Sequence, residues 1–247
     1  MELFADKNPD FYKEASVLKA SDIVSWKRDR NVYNFERLPR KAILSIKKNS
    51  YSKLTSRFTK RAKGISGTHY IHKSGVLLCS EFGSGAPAML MLMEELRELG
   101  VEQFIFIGMA GILHDSVKEG MACIISQVYS SSGASFFYTD DEKIGCFDQQ
   151  WFEKVKDVCQ LEKRIAWSTD CPYREVPSLF SHYKSKGCSL VEMESAAVYS
   201  FSQFYKISAV CILIGADNLT SSKWKVPNNM KGLIEAQQKL VSQLIQL

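Results

Sequence analysis

The sequence lacks the residue groupings that build metal centres and disulfide frameworks. Its seven cysteines (Cys79, Cys123, Cys146, Cys159, Cys171, Cys188 and Cys211) stand singly, with no C-x-x-C pair, and the four histidines form no Cys/His cluster at zinc spacing. An odd number of scattered cysteines, several in apolar runs, reads as reduced thiols in a protein without a metal site. No run approaches the ~18 uncharged apolar residues of a membrane span. The start, MELFADKNPDFYKEAS, has neither the basic head nor the apolar run of a signal peptide. The expectation is a soluble, cytoplasmic protein that does not engage a membrane. Internal repeats and low-complexity tracts are also missing, which excludes solenoids and fibrous chains.

What is present is ordinary for a globular chain. The 247 residues are 45% hydrophobic and 24% charged, values that exclude wholesale disorder and suit one sizeable domain. Net charge is +5 and uneven: residues 1–73 carry 17 Lys/Arg against 7 Asp/Glu, the remainder 15 against 20. A basic third can gather small anions or simply be solvated. Its aromatics follow no RNA- or DNA-binding signature, so nucleic acid is not an expected partner.

Residues 1–40 are polar and weakly periodic and read as an N-terminal extension with a short helix near Asp10–Leu18; residues 41–247 read as a single catalytic domain. Ala42–Ile46 is a short strand. Turn residues around Thr68–Ile71 suggest a hairpin. GVLLCS (75–80) is a buried strand, followed by the turn Gly83-Ser84-Gly85-Ala86-Pro87 and a helix that closes at Gly100. QFIFIG (103–108) is a second buried strand, ended by Gly108-Met109-Ala110-Gly111. Further strands fall at 121–129 and 209–215, with helices at 147–159, within 191–205 and at 231–246. Buried strands alternating with helices predict an α/β domain around a mixed sheet, with ligands beyond the carboxyl ends of the strands.

Three segments carry candidate chemistry. The G-S-G-A-P turn can present backbone N–H groups to an anion, or merely pack a strand tightly on a helix. Glu192-Met193-Glu194 precedes a helix, where acids serve as ordinary caps; equally, a carboxylate there can accept two hydrogen bonds from a vicinal diol such as that of ribose. Asp217 follows an apolar strand, as a turn former or as a proton donor beside a pocket.

Taken in order, these pieces resemble the nucleoside phosphorylase superfamily of hexameric-type purine nucleoside phosphorylases, uridine phosphorylases and related nucleosidases. Gly83–Pro87 with Glu94-Glu95-Leu96 and Leu99-Gly100 resembles its G-x-G-x-P…EEL…LG segment. Phe104–Gly111 resembles the next strand and glycine turn, and Ser168-Thr169-Asp170-Cys171-Pro172-Tyr173 resembles the base-pocket segment. Val191–Ala197 resembles the E-M-E-[SA]-A signature, and Asp217 falls where purine-acting members carry an acid. The resemblance implies a three-layer α/β/α sandwich around a central mixed sheet forming a distorted barrel. It implies pentosyl transfer from a nucleoside, a purine one by its lean, to phosphate as co-substrate without a cofactor, in nucleoside catabolism and salvage, by a homo-oligomer of dimer to hexamer size. It implies Glu194 on the ribose hydroxyls, Met193 against the sugar and Glu192 nearby. Asp217 would protonate purine N7, while Tyr173, Ser168, Cys171 and Gly111 line sugar and base.

The anion end departs from that pattern. Where the family has G-D-P-x-R after its first strand, this chain has Ile46-Lys47-Lys48-Asn49-Ser50; the second phosphate arginine is Phe106, and the hydroxyl residue after Gly108 is Met109. A phenyl ring cannot replace a two-pronged guanidinium. Lys47 and Lys48, with the backbone at Gly108 and Met109, are the candidate substitutes, and the basic run Lys60-Arg61-Ala62-Lys63 lies nearby in sequence. A donated histidine of some members is Asn34 here. These departures keep open hydrolysis by water, with Glu81 or Glu192 to position it, and a weakly catalytic nucleoside-binding role.

Overall fold

A computed structural model describes residues 11–47, 51, 59–221 and 223–247. Ten strands and six α-helices run in the order α1 (Ala20–Asp29), β1 (Lys41–Leu44), β2 (Thr59–Ala62), β3 (Thr68–His72), β4 (Val76–Ser80), α2 (Ala86–Glu98), β5 (Gln103–Ile112), β6 (Ala122–Ser131) and β7 (Lys143–Gly145). They continue with α3 (Gln149–Cys159), β8 (Glu162–Thr169), α4 (Pro177–Ser185), β9 (Cys188–Glu192), α5 (Ser195–Tyr205), β10 (Ser208–Asn218) and α6 (Met230–Leu244) among the described residues.

One mixed sheet holds every described strand, with β7 paired to β6 off the main path. Its order is β10-β6-β8-β9-β5-β1-β4-β3-β2, and an additional β10–β5 pairing closes β5, β10, β6, β8 and β9 into a five-stranded barrel. β5 is long because it serves both parts. Its first four residues pair in parallel with β1 on one side and β10 on the other, while Gly111 and Ile112 pair antiparallel with β9. Buried strands explain the apolar runs: every residue of β4 and β9 is buried. Helices α2 and α5 pack together with α1 outside α2, and α3 and α6 pack together on β10. The result is the expected three-layer α/β/α sandwich around a mixed sheet with a distorted barrel. No described helix is long and apolar enough to cross a membrane.

Several local expectations need correction. The segment read as a helix near Asp10–Leu18 holds only a single 3-10 turn at Phe11–Lys13 among its described residues. The helix starts at Ala20, where Asp22 Oδ2 accepts the Lys19 N–H at 2.9 Å and so satisfies a first-turn donor. Thr68–Ile71 lie inside β3 rather than in a turn. The chain reverses on either side of β3, at Gly64 and Gly67 and at Gly75, all with positive φ. Gly108–Gly111 likewise do not end a strand; they lie within β5. A methyl group on Gly108 would meet the Phe106 ring at 2.7 Å, and one on Gly111 would meet Leu219 at 2.5 Å. The glycines therefore mark close approach at the barrel corner, not a reversal.

A buried tyrosine ties α5 to the barrel. The Tyr199 hydroxyl donates to the Ile125 carbonyl on β6 and accepts the Cys211 N–H of β10 at 3.2 Å. Tyr199→Phe leaves both backbone groups buried without that partner. Urea unfolding of this variant should show a loss of about 2–4 kcal/mol; a loss below about 0.5 kcal/mol would remove Tyr199 as the tie.

Candidate active site

The site is built where β9 runs into α5. Glu192 is the last residue of β9, and its carboxylate is buried. One oxygen accepts the Ser168 hydroxyl from β8. The other accepts the backbone N–H groups of Glu194 and Ser195, each at 2.8 Å. Ser168 Oγ in turn accepts the Ala196 N–H at 3.0 Å. First-turn donors of α5 are thus satisfied by a carboxylate and a hydroxyl from two barrel strands. Glu192 is a cap, and Ser168 a buried support for it.

Glu194, at the N-cap position of α5, faces the other way. Its Oε1 accepts the Gly85 N–H at 2.6 Å. Gly85 has φ +89 and begins α2, with Pro87 in the first turn. Only glycine adopts that conformation without strain, so the G-S-G-A-P segment directs the Gly85 amide to the chain's own Glu194 carboxylate.

Asp217 owes its position to a strand irregularity. Gly215 pairs with Ala110 and Asn218 with Ile112, so the register slips by one residue between them and Asp217 lies in the bulge. A bulge re-aims a side chain at a barrel rim. Asp217 Oδ2 accepts the indole N–H of Trp224 at 3.1 Å and lies 3.4 Å from where a Gly111 methyl would stand. What Gly111 leaves room for is the Leu219 and Val191 side chains, which a methyl group there would meet at 2.5 and 3.0 Å.

These groups share one cavity of about 900 Å³. Its walls include Glu192, Met193, Glu194, Gly108, Met109, Gly111, Asp217, Tyr173 and Lys47 from the sequence-predicted set. Tyr173 stands at the mouth, fully exposed. Cys171 is exposed and does not line the cavity, and Ser168 lies behind Glu192. Lys48 falls outside the described residues. Phe106 is wholly buried against Gly108, off the wall. Glu81 is exposed and away from the cavity, and Asn34 accepts the Lys63 N–H and donates to the Arg61 carbonyl, which clips it to β2. Sequence reasoning missed Glu175 and Trp224, both on the wall; neither lies in a recognisable pattern.

The electrostatics are acidic. Lys47 is the one Lys or Arg among the described lining residues, against Glu175, Glu192, Glu194 and Asp217. Burial raises the proton affinity of Glu192, while its hydrogen bonds from Ser168 and the α5 amides act in the opposite sense. Burial, then the charge of Glu192, pushes Glu194 up to about 7. Burial, then the charge of Asp217, pushes Glu175 up to about 7. Such displacement concentrates at functional sites.

Residues 47–246 match the phosphorylase superfamily, and the chain belongs to that family. Protein R802 of Acanthamoeba polyphaga mimivirus is 24% identical over 55% of this chain, which spans about half (54%) of that protein. A DeoD-type purine nucleoside phosphorylase of Clostridium perfringens is 23% identical over 65% of this chain and 72% of its own length. Purine nucleoside phosphorylase from Toxoplasma gondii, solved in complex with immucillin-H, superimposes with a TM-score of 0.72 at 16% identity, covering 85% of this chain and 90% of that one. Uridine phosphorylase from Vibrio fischeri ES114 gives 0.72 at 16% identity, covering 85% and 91%. At that identity the structural likeness establishes a shared fold.

The acidic wall has a stability consequence. Glu194 binds its proton more tightly folded than unfolded, so stability falls as pH rises from the ordinary value of 4.5 toward about 7. Glu194→Gln keeps an acceptor for Gly85 and removes the charge. Its unfolding free energy from urea titration should exceed that of the parent by about 3 kcal/mol at pH 8 and by less than about 1 kcal/mol at pH 5. An equal margin at both pH values would contradict the burial of a titrating Glu194.

Proposed function

We propose that the chain cleaves the N-glycosidic bond of a purine nucleoside and passes the ribosyl group to phosphate. The observation that carries this reading is the joint placement of Glu194 with Met193 and of Asp217 on one cavity wall, bridged by Gly111. A carboxylate held by the Gly85 amide suits the 2′- and 3′-hydroxyls of a ribose, and Met193 suits the sugar face. Asp217 and its neighbours then meet the base. Protonation at N7 makes the purine a neutral leaving group, and the electrons of the C1′–N9 bond depart with it. The negative wall stabilises the oxocarbenium-like sugar, while a phosphate oxygen attacks C1′ from the opposite face.

Ser45, Lys47, Ser84, Gly108 and Met109 also line the cavity and are the groups left for that anion. One cation there, with Phe106 and Met109 in place of an arginine and a hydroxyl, supports a second reading in which water attacks C1′ instead. Both readings fit a single catalytic domain from about residue 41 behind an N-terminal extension. They fit a homo-oligomeric, cytoplasmic enzyme of nucleoside salvage, with nucleoside and phosphate as its ligands.

Release of free base from a panel of nucleosides, with and without phosphate, tests the reading. Strict phosphate dependence is expected. Phosphate-independent release would replace phosphorolysis by hydrolysis, and no release from any nucleoside would overturn both. Glu194→Ala should lower kcat/KM by at least about 100-fold, the scale of two lost hydrogen bonds to a charged group. Unchanged kinetics would remove Glu194 from the sugar.

A further inference from the structure

A loop leaves β10 and returns to the cavity. Asn218 and Lys225 exchange backbone hydrogen bonds at 2.9 and 3.0 Å, so the chain doubles back on the residue next to Asp217. Asn218 Oδ1 accepts the Thr220 N–H at 3.0 Å and the Thr220 hydroxyl at 2.8 Å, and the Thr220 carbonyl accepts from Lys184 of α4 at 2.8 Å. Further along, Glu119 accepts the Asn228 side-chain amide at 2.9 Å and the Asn229 N–H at 2.7 Å. Trp224 stands between these ties. It is 67% exposed, yet it lines the cavity, and its indole N–H reaches Asp217 Oδ2 at 3.1 Å.

We infer that Trp224 is a positioning residue for departure of the base: its N–H holds Oδ2 of Asp217 and leaves Oδ1 as the atom that hands a proton to N7. The inference rests on the glycosidic-bond reading above and deepens it by naming what aims the acid.

A carboxyl group at a strand end can turn about both its side-chain bonds, and only some orientations present a proton to a bound base. A hydrogen bond from a fixed donor removes that freedom. Trp224 is the one hydrogen-bond donor that the described residues give Asp217. Its chemistry fits the task. An indole N–H donates only, so it cannot take the proton of the acid. It is neutral, so it does not hold the carboxylate ionised as a lysine or arginine there would. The bond also strengthens as the carboxyl becomes a carboxylate, an interaction gained in the transition state.

The step balances. The proton passes from Oδ1 to N7, the electrons of the C1′–N9 bond pass to the purine, and the base departs neutral. Asp217 is left as a carboxylate with Oδ2 still on the indole. It regains a proton from solvent, which receives the proton released by the attacking phosphate or water.

The test is a double-variant cycle of Trp224→Phe and Asp217→Ala, read on the purine nucleoside that wild type cleaves fastest. Phenylalanine keeps an aromatic ring and loses the N–H, and the exposure of Trp224 keeps the change out of the core. Trp224→Phe should lower kcat about tenfold or more, the scale of one hydrogen bond to a charged group, and leave KM within about threefold. Asp217→Ala should lower kcat about 100-fold or more. The double variant should stay within about twofold of Asp217→Ala, because no carboxyl is left to aim. A tryptophan that only supports the loop would multiply its loss into that background. The inference is overturned if Trp224→Phe matches wild type, if its loss lies in KM alone, if it costs as much without the Asp217 carboxyl as with it, or if Asp217→Ala keeps wild-type kcat. If wild type releases base from no nucleoside, the glycosidic-bond reading fails first and this one with it; base release by wild type distinguishes the two failures.

Discussion

The Glu192 carboxylate is the point on which the site depends. It joins β8, β9 and α5 by accepting from Ser168 on one side and from two α5 amides on the other. A buried carboxylate is costly unless its lone pairs are engaged, and here the positive end of a helix engages them. With that junction fixed, Glu194 is held at the N-cap position, where the Gly85 amide reaches it across the start of α2. The two acids of one short motif thus have different work: the first fixes the backbone and the second faces the cavity.

The same junction explains the acidic character of the pocket. Four carboxyl groups share a wall with one lysine among the described residues. Fully ionised, they would repel one another at short range; burial and mutual charge keep protons on Glu194 and Glu175 up to about neutral pH. That arrangement suits a substrate in which positive charge develops at the sugar and a proton is needed at the base. It suits a multiply charged anion less well, with Lys47 the one lining cation among the described residues.

Much of this was legible in the sequence, and the reasons differ by element. Continuous apolar runs such as GVLLCS revealed interior strands of the mixed sheet because such strands are buried on both faces. Pro87 and Gly100 bracketed α2 correctly. The glycines at 108 and 111 misled, since a sequence shows that a side chain is missing but not whether a turn or a neighbour requires it; a Phe106 ring and a Leu219 methyl do. The E-M-E motif indicated the site, while its division of labour depended on Ser168, 24 residues away. Asp217 was visible as an acid after a strand, but the bulge that aims it was not. Glu175 carried no signal: its displaced proton affinity comes from burial and from Asp217, both products of the tertiary fold.

The central claim is that Glu194, pinned by Gly85, is the acceptor for a sugar diol. The most direct measurement is calorimetric binding of inosine beside 2′,3′-dideoxyinosine to the wild-type protein, at low temperature without phosphate and over an interval in which no free base forms. The account predicts that loss of both hydroxyls weakens binding by about 100-fold or more. Equal affinity for the two nucleosides would contradict it.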